Sequence, residues 1–188
     1  MKTNIRHLLL LLFAINLFIP TARSQEGNSP FNPAPVGVKL SGIIECGQGY
    51  TSHELYNMKI TLLEVIRGDN AWKRLQTTSS TNKPAGSRFE YILARVRFEY
   101  YARGKPGLCV HNLTPEQFTA CSVEGVDYPE ADVILPQPEM QGDLRSGESI
   151  EGWIALLVPI TDRKPLLYYS ADAGAAVQHG GGKWFKLY

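Results

Sequence analysis

A two-sheet β-sandwich carrying one short helix is the fold class that the sequence predicts, and three observations predict it. Apolar residues recur with a period of two, Gly, Pro, Asn and Asp separate the runs at short intervals, and one segment alone changes to a helical period. The clearest run is "FEYILARVRFEYY". There Ile92, Ala94, Val96, Phe98 and Tyr100 share one face while Arg95, Arg97 and Glu99 share the other, which is the pattern of a strand with one buried side.

From the N-terminus, Lys2 and Arg6 precede an apolar run from Leu8 to Ile19, followed by Pro20 and the small-residue pattern Ala22-Arg23-Ser24. This is the order of charge, apolar core and cleavage site in a secretory signal peptide, so residues 1–24 are expected to be removed near Ser24-Gln25. The first Cys is Cys46, so a lipid-anchoring Cys at the cleavage point is absent and release, to the medium or the periplasm, is expected rather than anchoring. Residues 25–35, "QEGNSPFNPAP", read as a flexible leader, and 36–188 as one domain.

Strands are expected at Val38 to Ile44, Tyr56 to Ile66, Gln117 to Val123, Ala131 to Leu135, Ser149 to Val158, Leu166 to Tyr169 and Lys183 to Tyr188, besides the run already quoted. After Gly68, Asp69 is placed to cap a two-turn helix over "NAWKRLQ" that lays Trp72 and Leu75 or Gln76 on one side. About eight strands with one helix fit two packed sheets.

Charge narrows the partners. Without residues 1–24 the chain has 16 Lys and Arg against 18 Asp and Glu, a net charge of about −2, which makes nucleic acid an unsuitable partner. All three cysteines lie in the exported part, where disulfides persist. Cys109 and Cys121 are the preferred pair because they flank a short connection with turn chemistry, with Cys46 open as a partner for either.

The stretch "LRSGESIEGWIALLVP" divides into two stripes. Ile150, Gly152, Ile154, Leu156 and Val158 alternate as a core face, and Trp153, Ala155 and Leu157 form the opposite one. Either the helix bearing Trp72 covers this second stripe or a partner does. The helix is expected over Leu157, and Trp153 is expected to be a contact residue. Adjacent aromatics on a strand cannot all point inward, so Trp153, Trp184, Tyr101 and Tyr169 are the binding candidates.

A family resemblance rests on an ordered set of motifs: "EVIRGDNAWKRL", "GSRFEYILARVRFEY", "FTACSVEGVDYPEADV", "LRSGESIEGWIALLVP", "PLLYYS" and "GGGKWFKLY". Together, over roughly Tyr56 to Tyr188 or about 70 per cent of the chain, they resemble the secreted bacterial immunoglobulin-like domains of the DUF4352 type. The resemblance implies immunoglobulin-like topology in an exported protein and brings no catalytic residues. The chain departs from many relatives in lacking an anchoring Cys and in carrying Cys109 and Cys121.

Chemical motifs are sparse. "HGGG" at His179 to Gly182 is the oxyanion loop of some esterases, but no G-x-S-x-G accompanies it. "GGGK" fails as a phosphate loop, with Val177 in place of the first Gly and Trp184 in place of Ser or Thr. Cys109 and His111, helped by Cys46, Cys121 or His53, are soft ligands for zinc or copper, and Asp127, Glu130 and Asp132 are hard ones for calcium. Each set has a plainer reading, as a structural disulfide with a surface His and as a hairpin with solvated acids. The sequence therefore points to a non-enzymatic domain without a cofactor, one that binds a protein or a cell-envelope component. Metal binding is the first alternative and a secreted hydrolase the second.

Overall fold

A computed structural model of the chain describes residues 26–46, 54–104, 109–171 and 182–188. The proposed signal peptide, His53 and all of the "HGGG" run but Gly182 lie outside the described residues. Along the chain run β1 (Lys39–Cys46), β2 (Glu54–Arg67), α1 (Gly68–Thr78), β3 (Phe89–Ala102), β4 (His111–Leu113), a 3-10 turn (Pro115–Gln117), β5 (Phe118–Cys121), β6 (Gly142–Leu144), β7 (Ser149–Pro159), β8 (Leu166–Tyr169) and β9 (Lys183–Lys186).

The chain is an all-β sandwich with one short helix. Antiparallel pairing joins β1-β2-β3-β7 into one sheet and β5-β8-β9 into the other, with β4 and β6 forming a small ribbon. The even-numbered residues of β3, Ile92 to Tyr100, all enter the core, where they meet Phe118, Ala120, Leu167, Tyr169 and Phe185 from the facing sheet. β2 carries a bulge between Leu62 and Glu64, opposite Val96 and Arg95. The extra residue exchanges the two faces of the strand beyond it, so Ile60 and Leu62 enter the core before the bulge and Val65 after it.

The other face of the first sheet has its own apolar cluster. Ala71 and Leu75 of α1 are fully buried against Tyr91 and Leu93 of β3 and Trp153 of β7, with Trp72, Ala155 and Leu157 packed beside them. Ala71 and Trp72 stand four and three residues before Leu75, the helical spacings that bring side chains onto one stripe facing the sheet. The second stripe of β7 is thus roofed by α1. Trp153 is only 2% exposed, which corrects its reading as a contact residue.

Several local expectations change. Asp69 lies inside the first turn, and the N-cap is Arg67, which makes no side-chain capping bond; its guanidinium instead pairs with Glu90. Residues 131–135 form no strand. The side chain of Asn82 stands in for one, accepting from the Ile134 N–H at 2.7 Å and donating to the Ile134 carbonyl at 2.9 Å. Over its described part the leader pairs with β9: Ala34 N–H donates to the Trp184 carbonyl at 2.9 Å, and Lys186 N–H to the Ala34 carbonyl at 2.8 Å. Ala34 is fully buried, and residues 27–34 run along β9.

The disulfide joins Cys46 to Cys109, with Cα atoms 6.2 Å apart, and Cys121 is a free, buried thiol. This corrects the pairing of Cys109 with Cys121. The physical reason is that Cys109 is held over the end of the first sheet, its N–H donating at 3.1 Å to the hydroxyl of Tyr56, the residue opposite Ile44 in the β1–β2 ladder. The 3-10 turn and β5 carry Cys121 away into the second sheet, where it pairs with Leu166.

Candidate functional site

A cleft of about 520 Å³ opens between the 3-10 turn, β5, the returning segment 127–131 and β7. Its apolar lining comes from Pro115, Phe118, Ala120, Pro129, Ala155 and Leu156, and its acids are Glu116, Asp127 and Glu130. All three carboxylates are solvent-exposed. Backbone pairing explains the shape. The turn at 122–126 closes with a bond from the Ser122 N–H to the Val126 carbonyl, and the Tyr128 N–H then returns to the Ala120 carbonyl at 2.8 Å. Beyond Pro129, Glu130 bridges to Leu156 of β7, so one segment spans both sheets and walls the cleft.

Side chains fix this wall. The Tyr128 hydroxyl donates to Asp162 Oδ2 at 2.7 Å, and burial followed by this bond raises the phenol above its ordinary value. Cys121 lies behind the wall, where burial pushes its thiol up to about 12 and Asp127 and Asp162 add to the rise. On the opposite rim, the Gln117 side-chain oxygen accepts from the Thr114 N–H at 3.1 Å, which holds the 3-10 turn. The Thr114 hydroxyl and the N–H of Glu116 hold the Glu116 carboxyl below its ordinary range. A lowered carboxyl is the opposite of what a general acid at neutral pH requires.

The aromatic candidates do not converge on this cleft. Trp153 is covered by Arg74, and Tyr169, 1% exposed, is a core residue between Phe98 and Phe118, which corrects its reading as a binding residue. Trp184 is half-buried on the outer face of the second sheet, its ring centre 4.4 Å from that of Tyr168. Tyr101 is half-buried on the outer face of the first, with Lys59 Nζ 5.1 Å from its ring centre and its hydroxyl donating to Glu99 at 3.2 Å.

The proposed metal ligands are likewise dispersed. Cys109 is consumed in the disulfide, and His111 is buried, its ring stacked between Phe98 and Tyr100 with both centres at 5.4 Å and its Nε2 3.5 Å from the Tyr169 hydroxyl. Asp127 and Glu130 both line the cleft, whereas Asp132 lies on the α1 side, near enough to Tyr91 to help raise its phenol. Among the described residues no group of three or more His, Cys, Asp or Glu has metal-binding geometry. Of the three acids in the cleft, Glu116 is the one that sequence reasoning missed. Its signal was the run Thr114-Pro115-Glu116-Gln117, a helix-start pattern with a capping residue, Pro in the first turn and Gln three residues on.

No family model and no curated protein matches the chain. Among solved structures, the chain is similar to a candidate lipoprotein, ycdA, from Bacillus subtilis, with 14% sequence identity and a TM-score of 0.49 over 69% of this chain and 35% of that one. The chain thus spans about a third of that protein's length. Among the described residues no helix is long and apolar enough to cross a membrane.

Proposed function

We propose that this is an exported, non-catalytic domain of immunoglobulin-like type that binds a protein of the cell envelope, and that the cleft between β5, segment 127–131 and β7 receives it. The observation that carries the reading is the cleft's composition: an apolar floor of Phe118, Ala120 and Leu156 beneath a rim of three exposed carboxylates. An apolar groove with a few oriented polar groups is the usual form of a recognition site, and a charged rim selects a partner of opposite sign. The partner chemistry is therefore a protein segment with apolar side chains flanked by Lys or Arg. Export is supported by the apolar N-terminal run and by the Cys46–Cys109 disulfide, which persists in oxidising compartments.

The test is site-specific photo-crosslinking. A photoreactive residue at Thr119, which lines the cleft, should capture one discrete partner in envelope extracts, and Val123, exposed and outside it, should not. Asp127→Lys together with Glu130→Lys should abolish the product. Equal labelling from both positions, or capture that survives the charge reversals, overturns the proposal.

A further inference from the structure

The four outer edges of the two larger sheets are treated unequally. The edge of β7 is covered by the strap around Glu139, with the Trp153 N–H donating to the Pro138 carbonyl at 2.8 Å and the Met140 N–H to the Trp153 carbonyl at 3.1 Å. Residues 27–34 cover β9, and Tyr128 covers β5. The fourth edge, β1, pairs with β2 alone among the described residues. It is eight residues long and has neither a Pro nor a bulge in its ladder, two of the devices that blunt an open edge; its exposed charges are one of each sign, Lys39 and Glu45.

We infer that β1 is a homodimerisation edge at which two copies pair antiparallel about Gly42, joining two four-stranded sheets into one. The sequence KLSGIIEC is self-complementary about that residue. Lys39, Ser41, Ile43 and Glu45 are exposed on one face, and a two-fold axis through Gly42 sets Lys39, half exposed beside Glu99 of its own chain, opposite the partner's Glu45 twice over, and Ser41 opposite the partner's Ile43. Sliding the pairing by two residues in one direction puts Lys39 opposite the partner's Ile43 and Ser41 opposite itself; in the other, Ser41 meets the partner's Glu45. Only the Gly42-centred register pairs both charges, and opposite charges facing each other across a ladder stabilise it while like charges destabilise it. An isologous patch of this kind selects a second copy of the same chain. Gly42 suits the centre because its inner face is filled by Met58 Cε and the stem of Lys183, leaving the strand flat there without a side chain.

Sedimentation equilibrium of the full chain tests this. The wild type should show a concentration-dependent dimer, and amide exchange over 39–46 should slow as concentration rises. Glu45→Lys, which breaks no ion pair among the described residues, should raise the dimer Kd about tenfold or more by replacing two attractive pairs with two repulsive ones. Lys39→Glu, which also removes the pair of Lys39 with Glu99 of its own chain, should weaken the dimer as well, and the double variant should dimerise more tightly than either single variant, with circular dichroism confirming that each variant is folded. A wild type that stays monomeric, exchange at 39–46 that ignores concentration, or a folded double variant no tighter than the singles overturns the inference. The cleft and its acids are not involved, so this outcome is independent of the function proposed above.

Discussion

The guanidinium carbon of Arg74 lies 3.9 Å from the centre of the Trp153 ring, with Arg95 at 5.9 Å on the same indole. The helix therefore closes over β7 with a cation rather than with apolar atoms alone. Arg74→Ala should cost about 0.5 to 2 kcal/mol in chemical denaturation and make Trp153 more accessible to a fluorescence quencher. Leu75→Ala, beneath it and fully buried, should cost about 2 to 5 kcal/mol and leave the facing sheet intact.

The Cys46–Cys109 bridge closes a separation of 63 residues, for which chain entropy gives about 4 kcal/mol. Cys109→Ala should lower stability by that order, and a non-reducing peptide map should recover the 46–109 pair. Cys121 should resist iodoacetamide in the folded protein at neutral pH and react after unfolding, because burial suppresses its thiolate. Rapid alkylation of the native protein would contradict the buried position.

Glu99 is held below its ordinary value, first by its bond to Lys39, whose Nζ is 2.8 Å away, and further by Tyr101 and Lys59. The folded state thus binds this proton more weakly than the unfolded chain. The resulting stability is present above about pH 4.5 and is lost as pH falls through the lower folded value. Lys39 is half exposed, so the pair should contribute no more than about 1 kcal/mol. Glu99→Gln should flatten the acid limb of the stability profile by that amount. An unchanged limb would assign the acid sensitivity elsewhere.

Lys183 is 4% exposed, and burial lowers its pKa below 10.5 while Nζ donates to Asn28 Oδ1 at 2.7 Å. Here the unfolded chain binds the proton more tightly, so the charge costs stability at neutral pH and that cost fades as pH rises through the folded value towards 10.5. Compared with Lys183→Met, the wild type should gain stability across the alkaline range. Parallel profiles for the two would show that Asn28 fully compensates the buried charge.

Period-two patterning made the core of this fold readable, because β3 obeys it from Ile92 to Tyr100 and each of those side chains enters the core. The same alternation gave both stripes of β7. What covered the second stripe could not be read, since Trp153 is as suitable for a partner as for Arg74 until the helix position is known. The three-residue strands β4 and β6 are too short to show a period, and the Asn82 contact that replaces a strand at 131–135 links residues 52 positions apart. The disulfide failed for a related reason. Proximity in sequence favoured Cys121, but β5 directs it into the other sheet. Of the cleft, Asp127 and Glu130 were visible as acids in a hairpin, whereas Phe118 and Leu156 became its floor only through packing of the sheets.

Gly152 sits where the strap crosses β7, and a methyl group there would stand 2.4 Å from both the carbonyl carbon and the oxygen of Glu139. Nothing flexible lies in the way, only the main chain, so the strap would have to lift. Met140, fully buried in the core, would be drawn out with it, so a change from Gly to Ala disturbs the guard on that flank and the packing beneath it together. At position 152 the cover over an open edge and the filling of the core thus depend together on the absence of one methyl group.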